Sequence, residues 1–226
     1  MPRKARCIIA NNPIHITQRG NNRQNIFHSE EDKAFYIKSF MEYKKKYRVK
    51  VYAWALMDNH VHFILEPKSS CSLGKLFHDL NTKYVMYYNS VYSKSGRLFG
   101  DRFFSSILDE EHLFEAIRYV ELNPFRAKME RNIASYPWTS ARERLKLIKT
   151  RFLSKIDLYF NIPDWLEYLK TSTSDDSTDK LTAWTTIKRH TQRGIPSAEL
   201  NFINAIAEKF NRTFNLNFRK SKSWLT

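Results

Sequence analysis

Two histidines, His60 and His62, flank Val61 in the run Leu56-Met57-Asp58-Asn59-His60-Val61-His62-Phe63-Ile64-Leu65. The run is apolar and in places β-branched, so it predicts a buried strand. Side chains alternate faces along a strand, which turns both imidazoles to one side and Val61 to the other. Two rings side by side on a rigid strand suit a divalent cation. The plainer alternative, two packed core histidines, requires partners for four ring nitrogens in apolar surroundings.

A second set of groups lies in Arg118-Tyr119-Val120-Glu121-Leu122-Asn123. On a helix, Tyr119 and Asn123 are four apart and share a face, while Ile117 and Val120 belong to the buried side. If that helix crosses near the histidines, a phenol stands beside a cation whose third ligand is an amide oxygen. Two imidazoles and an amide oxygen suit Mg2+ or Mn2+, and the lack of thiolates argues against structural zinc. A phenol with a pKa of about 10 is a weak nucleophile. It becomes useful against a phosphodiester whose oxygens a bound cation polarises, and the covalent phosphotyrosine conserves the bond energy for rejoining. Taken alone, Tyr119 reads as a packing tyrosine and Asn123 as a helix-ending residue before Pro124. Only the combination with the histidine pair points to chemistry.

The elements that must position these groups follow from periodicity. Ile14-His15-Ile16-Thr17 alternates as a first strand, followed by a polar loop, 18–25, with Arg19, Arg23, Gly20 and asparagines. Ser29 with Glu30-Glu31-Asp32 predicts a helix start, and Lys44-Lys45-Lys46 its end near Tyr47. Val49 to Met57 is a second strand, and Asp58-Asn59 turns it into the histidine strand. Ser72 to about Tyr92 carries Leu73, Leu76, Leu80 and Tyr84 on one helical stripe. A basic loop with Arg97 leads to a fourth strand over 102–108. Asp109-Glu110-Glu111 then opens a third helix that should stop at Asn123-Pro124. The order βαββαβα predicts an α+β, ferredoxin-like domain: an antiparallel sheet with helices on one face.

Beyond this domain, placed at 1–148, the sequence predicts a mostly helical, basic extension over 149–226. Its polar linker lies near 171–180, and two helices follow around 181–191 and 197–211. Joined across Gly194, those helices invite a helix-turn-helix reading, although an ordinary helical hairpin is the commoner arrangement. The formal charge of +15 implies a polyanionic partner, and interleaved aromatics suit unpaired bases. A merely basic soluble protein is the bland alternative. Cys7 and Cys71 have no ligand spacing, and no run is long enough for a signal peptide's apolar region or a membrane span. The expectation is a soluble, cytoplasmic protein without a disulfide framework.

Four segments together resemble the REP-associated tyrosine transposases, single-tyrosine HUH enzymes related to small insertion-sequence transposases. They are 16–24 (Ile-Thr-Gln-Arg-Gly-Asn-Asn-Arg-Gln), 55–62 (Ala-Leu-Met-Asp-Asn-His-Val-His), 102–106 (Arg-Phe-Phe-Ser-Ser) and 118–127 (Arg-Tyr-Val-Glu-Leu-Asn-Pro-Phe-Arg-Ala). The resemblance covers about 12–145. It implies cutting and rejoining of single-stranded DNA next to palindromic-repeat hairpins through a 5′-phosphotyrosine. It makes Tyr119 the nucleophile, His60 and His62 the paired metal ligands and Asn123 the third, where relatives usually carry glutamine. Arg19, Arg23, Arg97, Arg102 and Arg126 are the candidate DNA contacts, in a monomer or homodimer. The rivals are a non-catalytic DNA-binding regulator, an HUH replication initiator or relaxase, and a metal-dependent hydrolase that uses water.

Overall fold

The chain runs β1 (Ile14–Arg19), α1 (Glu30–Lys46), β2 (Val49–Leu56), β3 (His60–Pro67), α2 (Ser72–Tyr92), β4 (Phe104–Ile107) and α3 (Glu110–Arg126). It continues through α4 (Ala141–Arg144), α5 (Trp165–Thr171), α6 (Thr178–Arg193) and α7 (Leu200–Lys209). The structure, a computed structural model, describes residues 6–156, 164–171, 178–214 and 216. The strands pair antiparallel in the order β2-β3-β1-β4, the ferredoxin-like α+β arrangement that the sequence predicts.

The two faces of β3 determine what packs where. Val61, Phe63 and Leu65 are fully buried on one side, among Phe40 of α1 and Leu73, Leu76, Phe77 and Leu80 of α2. The Phe40 and Phe63 rings stack at 4.4 Å. On the other side Ile64, with Ala53 and Ala55 of β2, makes an apolar patch covered by Leu113, Ala116, Ile117 and Val120 of α3. The expectation of helices on one face therefore holds for α1 and α2 and fails for α3. The reason is that β2 is apolar on both sides, with Trp54 and Leu56 toward α1 and α2 and Ala53 and Ala55 away from them, so a second layer of helix is needed to keep those alanines and Ile64 from water.

Local signals set the element ends. Ser29 caps α1 in a reciprocal box: its hydroxyl accepts from the Asp32 amide, and the Asp32 carboxylate accepts from the Ser29 amide. Helix α3 does not stop at Asn123-Pro124 but runs on to Arg126 with Pro124 inside it. Pro124 cannot bond the Val120 carbonyl and its ring crowds that oxygen, but the turn beyond it can still close. Here the amides of Ala127, Lys128 and Met129 close the last turn onto Asn123, Phe125 and Pro124. That extra turn carries Arg126.

Helix α6 lies against the same face as α3. Ile187 is buried in the α3 cluster. Gly194, at φ +65°, ends the helix in the left-handed conformation that glycine adopts without strain, with the Ile195 amide bonded to the His190 carbonyl. The Ser106 hydroxyl donates to the Ile195 carbonyl at 2.7 Å, and the Ser197 amide to Ile107 at 2.8 Å, which moors this corner to β4. The polar run expected as a linker falls at 172–177 outside the described residues, and its last three residues open α6.

Candidate functional site

Register brings the polar groups together. Thr17 of β1 pairs with His62 of β3 and Arg19 with His60, so His15, Thr17, Arg19, His60 and His62 share one face. Helix α3 adds Tyr119, Asn123 and Arg126, and α6 adds Thr185, Lys188 and Gln192. All of these line one cavity of about 310 Å3. His62 and Tyr119 are 4% exposed. The phenol ring stands edge-on to His62 and to His15, each at 5.7 Å between centroids, and the His60 and His62 rings are 4.9 Å apart.

Hydrogen bonds orient the rings. The Asn59 amide nitrogen donates to the Arg23 carbonyl, which leaves its oxygen facing His60 Nδ1 at 2.6 Å. That oxygen only accepts, so His60 carries its proton on Nδ1 and keeps a lone pair on Nε2. His62 Nδ1 lies 3.0 Å from His15 Nε2 and 3.1 Å from the Thr17 hydroxyl, and no protein group bonds its Nε2 among the hydrogen bonds described. The Asn123 amide nitrogen donates to the Tyr119 carbonyl at 2.7 Å, leaving the amide oxygen as the atom able to coordinate. The donor set thus fits a divalent cation: two neutral imidazoles and one amide oxygen around a shared cavity. Among the described residues no group of three or more His, Cys, Asp or Glu could hold a metal, so any site here depends on Asn123 or water as well.

Burial keeps the imidazoles uncharged. It lowers the pKa of His15 and of His60 to about 3, and Arg19 and Lys188 add repulsion at His60. His62 is held well below its ordinary value by burial and by the neighbouring His60 and His15. Burial raises the Tyr119 phenol, opposed by Arg126, by a hydrogen bond with the Asn123 side chain and by Arg19. Cation and phenol would therefore meet in a pocket whose fixed charges favour a phenolate or a phosphate.

The predicted arginines separate into four places. Arg19 and Arg126 line the main cavity, while Arg23 lines a neighbouring hollow that shares Thr17, Arg19 and Gln192 with it. Gly20 permits that loop's tight turn, since a Cβ there would lie 2.2 Å from the Gln24 carbonyl oxygen. Arg102 lines a third hollow with Arg6, Arg193 and Arg212, joined to the second through Asp101, Phe104 and Gln192. Arg97 is exposed outside these hollows, its carbonyl accepting from Gln24. Sequence reasoning missed His15, Thr17, Lys188, Thr191 and Gln192. For the first two a signal existed, since a polar pair two apart on an apolar strand must share a face.

A family model described as "Transposase IS200 like" matches residues 9–123, half of the chain, a span that holds both histidines, Tyr119 and Asn123. A solved REP-associated tyrosine transposase, bound to a REP hairpin, matches with TM-score 0.55 at 14% identity, over 73% of this chain and 95% of the other. That likeness establishes a shared fold. A crystallised transposase candidate of Deinococcus radiodurans R1 matches at 13% identity over 53% of this chain and 96% of its own, with TM-score 0.38, too slight to bear on the fold. No curated protein matches.

Proposed function

The chain belongs to the IS200-like transposase family, and we propose that it cleaves and rejoins single-stranded DNA beside palindromic-repeat hairpins, with Tyr119 as nucleophile. His60, His62 and Asn123 would hold Mg2+ or Mn2+. The observation that carries this reading is the Tyr119 ring set edge-on to His62 at 5.7 Å, in a cavity of its own chain. A bound divalent cation would supply positive charge to the oxygens of the scissile phosphate.

The residues of this chain do the rest. The Tyr119 oxygen bonds to phosphorus as the bond to the 3′-oxygen breaks. The phenolic proton is given up, and the leaving oxygen takes a proton to become a 3′-hydroxyl. The product is a 5′-phosphotyrosine that a second 3′-hydroxyl can reverse. Arg19 and Arg126 oppose the effect of burial on the phenol and stand where phosphate charge would sit. Arg23, Arg97 and Arg102 extend the basic surface for the strand. Hairpin recognition is supported by the fold shared with a transposase solved on a REP hairpin and by the net charge of +15. Both halves of the site lie in one chain, which supports cleavage by a single subunit, as a monomer or within a homodimer. We read 1–148 as the catalytic unit and 149–226 as a basic extension whose α6 lines the cavity. No helix among the described residues is long and apolar enough to cross a membrane.

Incubation with labelled single-stranded hairpins and Mg2+, followed by a denaturing gel, tests the reading. The wild type should yield a covalent species that a chelator abolishes. Tyr119→Phe should bind the hairpin normally and give none. An adduct from Tyr119→Phe overturns the assignment, and a chelator-insensitive protein that binds without cutting is the regulator instead.

A further inference from the structure

The buried hydrogen bonds behind His62 form a chain with only one consistent direction. It begins at the Ile187 carbonyl of α6, which can only accept, and which takes the Thr191 hydroxyl proton at 2.8 Å. With its single proton committed, the Thr191 oxygen can only accept from His15 Nδ1, 2.6 Å away. His15 is then protonated on Nδ1, so its Nε2 is a lone pair facing His62 Nδ1 at 3.0 Å. His62 must donate there, and the lone pair that remains to it is on Nε2. Thr17, at 3.1 Å from the same Nδ1, cannot impose this, because a hydroxyl both donates and accepts and so serves either tautomer. His15, Thr191 and Ile187 are each at most 1% exposed, which shields the chain from competing water.

Resting on the reading above, we propose that His15, anchored by Thr191 of α6, is a positioning residue that locks His62 in the tautomer able to bind a divalent cation. Helix α6 thereby sets the cation affinity of a site built on strands about 130 to 175 positions earlier in the chain. An apolar side chain in place of His15 would fill the space against Tyr119 as well; what it could not do is accept the His62 proton. The cost of a buried His–Thr pair over a packed apolar one makes sense where orientation matters more than burial.

Two readouts on the full-length, DNA-free protein test this. Mn2+ titration followed by the electron paramagnetic resonance of the free ion should show tighter binding by wild type than by His15→Phe or Thr191→Val, by about tenfold to a hundredfold. Thr191→Ser, which keeps the hydroxyl, should restore wild-type affinity. Long-range proton–nitrogen spectra of the imidazoles should show His62 of the wild type protonated on Nδ1, with Nε2-protonated His62 growing in when Thr191 becomes valine. An Nε2-protonated His62 in the wild type overturns the proposal. So does Mn2+ affinity unchanged within twofold in a folded Thr191→Val. If His60→Ala and His62→Ala bind Mn2+ as wild type does, the metal-site reading fails by itself, and the wild-type tautomer spectrum still decides the role of His15.

Discussion

Each side of the sheet has a histidine beside a tyrosine, and the two pairs stand in different surroundings. On the α1–α2 side, His28 and Tyr88 lie 5.7 Å apart and bond to each other through Nε2 and the hydroxyl at 2.9 Å. Nearby Asp32 accepts from the amides of His28 and Ser29 and from the hydroxyls of Tyr87 and Tyr92. The Asp32 carboxylate there closes on the protein, and His28 itself is exposed to water. On the α3–α6 side, His62 and Tyr119 also lie 5.7 Å apart, but the bonds are made from behind, and the outward nitrogens of His60 and His62 face a cavity. Residue type and ring spacing do not separate structure from chemistry here. What separates them is whether several such groups converge on one cavity, as His60, His62, Tyr119 and Asn123 do.

The sharpest way to break this contrast is to damage the closed face. Phe63→Ala removes the ring stacked on Phe40 and should cost about 3–5 kcal/mol in denaturant unfolding. A loss below about 1 kcal/mol would mean that this face is not the stability core.

Acid should act through the open face. His15 and His60 are held near a pKa of about 3 when folded, against about 6.5 unfolded, so the unfolded chain binds more protons. Stability contributed by the neutral rings is present above about pH 6.5 and is lost progressively as pH falls toward 3. Between pH 7 and 5 the loss should be on the order of 2 kcal/mol per imidazole. His15→Phe should flatten that slope; an unchanged slope would put the acid sensitivity elsewhere.

Asp32→Asn tests the closed face more gently. It keeps the shape and weakens acceptance from four donors, for a loss of about 1–3 kcal/mol in urea unfolding. Mn2+ affinity at 25 °C should not change, and a shift would show that the faces are coupled. The smallest effect belongs to the basic rim. Arg102→Ala should weaken hairpin binding only severalfold and lower the salt dependence of log K by about one phosphate's share. A complete loss of binding would make Arg102 a specific anchor rather than one charge among many.

Much of the frame was legible because its signals are local. The α2 stripe, the Ser29 cap and the two-residue turn before His60 each sit within a few positions, and the same-face geometry of His60 and His62 follows from strand alternation alone. The path of α3 through Pro124 was not legible, since what closes that turn is a set of amides downstream of the proline. Nor was the side of the sheet that α3 covers, because β2 is apolar on both faces and its own periodicity does not say which helix covers which. The support for His62 is the least local feature of all. His15 shows only as a polar residue on an apolar strand, and its anchor Thr191 lies 176 positions away with no motif to mark it.

The central claim is that the Tyr119 oxygen is the atom that takes the DNA. Mass spectrometry of the peptides from a trapped protein–hairpin complex tests it most directly. The account predicts a nucleotide phosphate on the peptide containing Tyr119, with the fragment ions placing it on that phenol. A phosphate on any other residue, or a cleaved strand with no protein attached to its 5′ end, would contradict it.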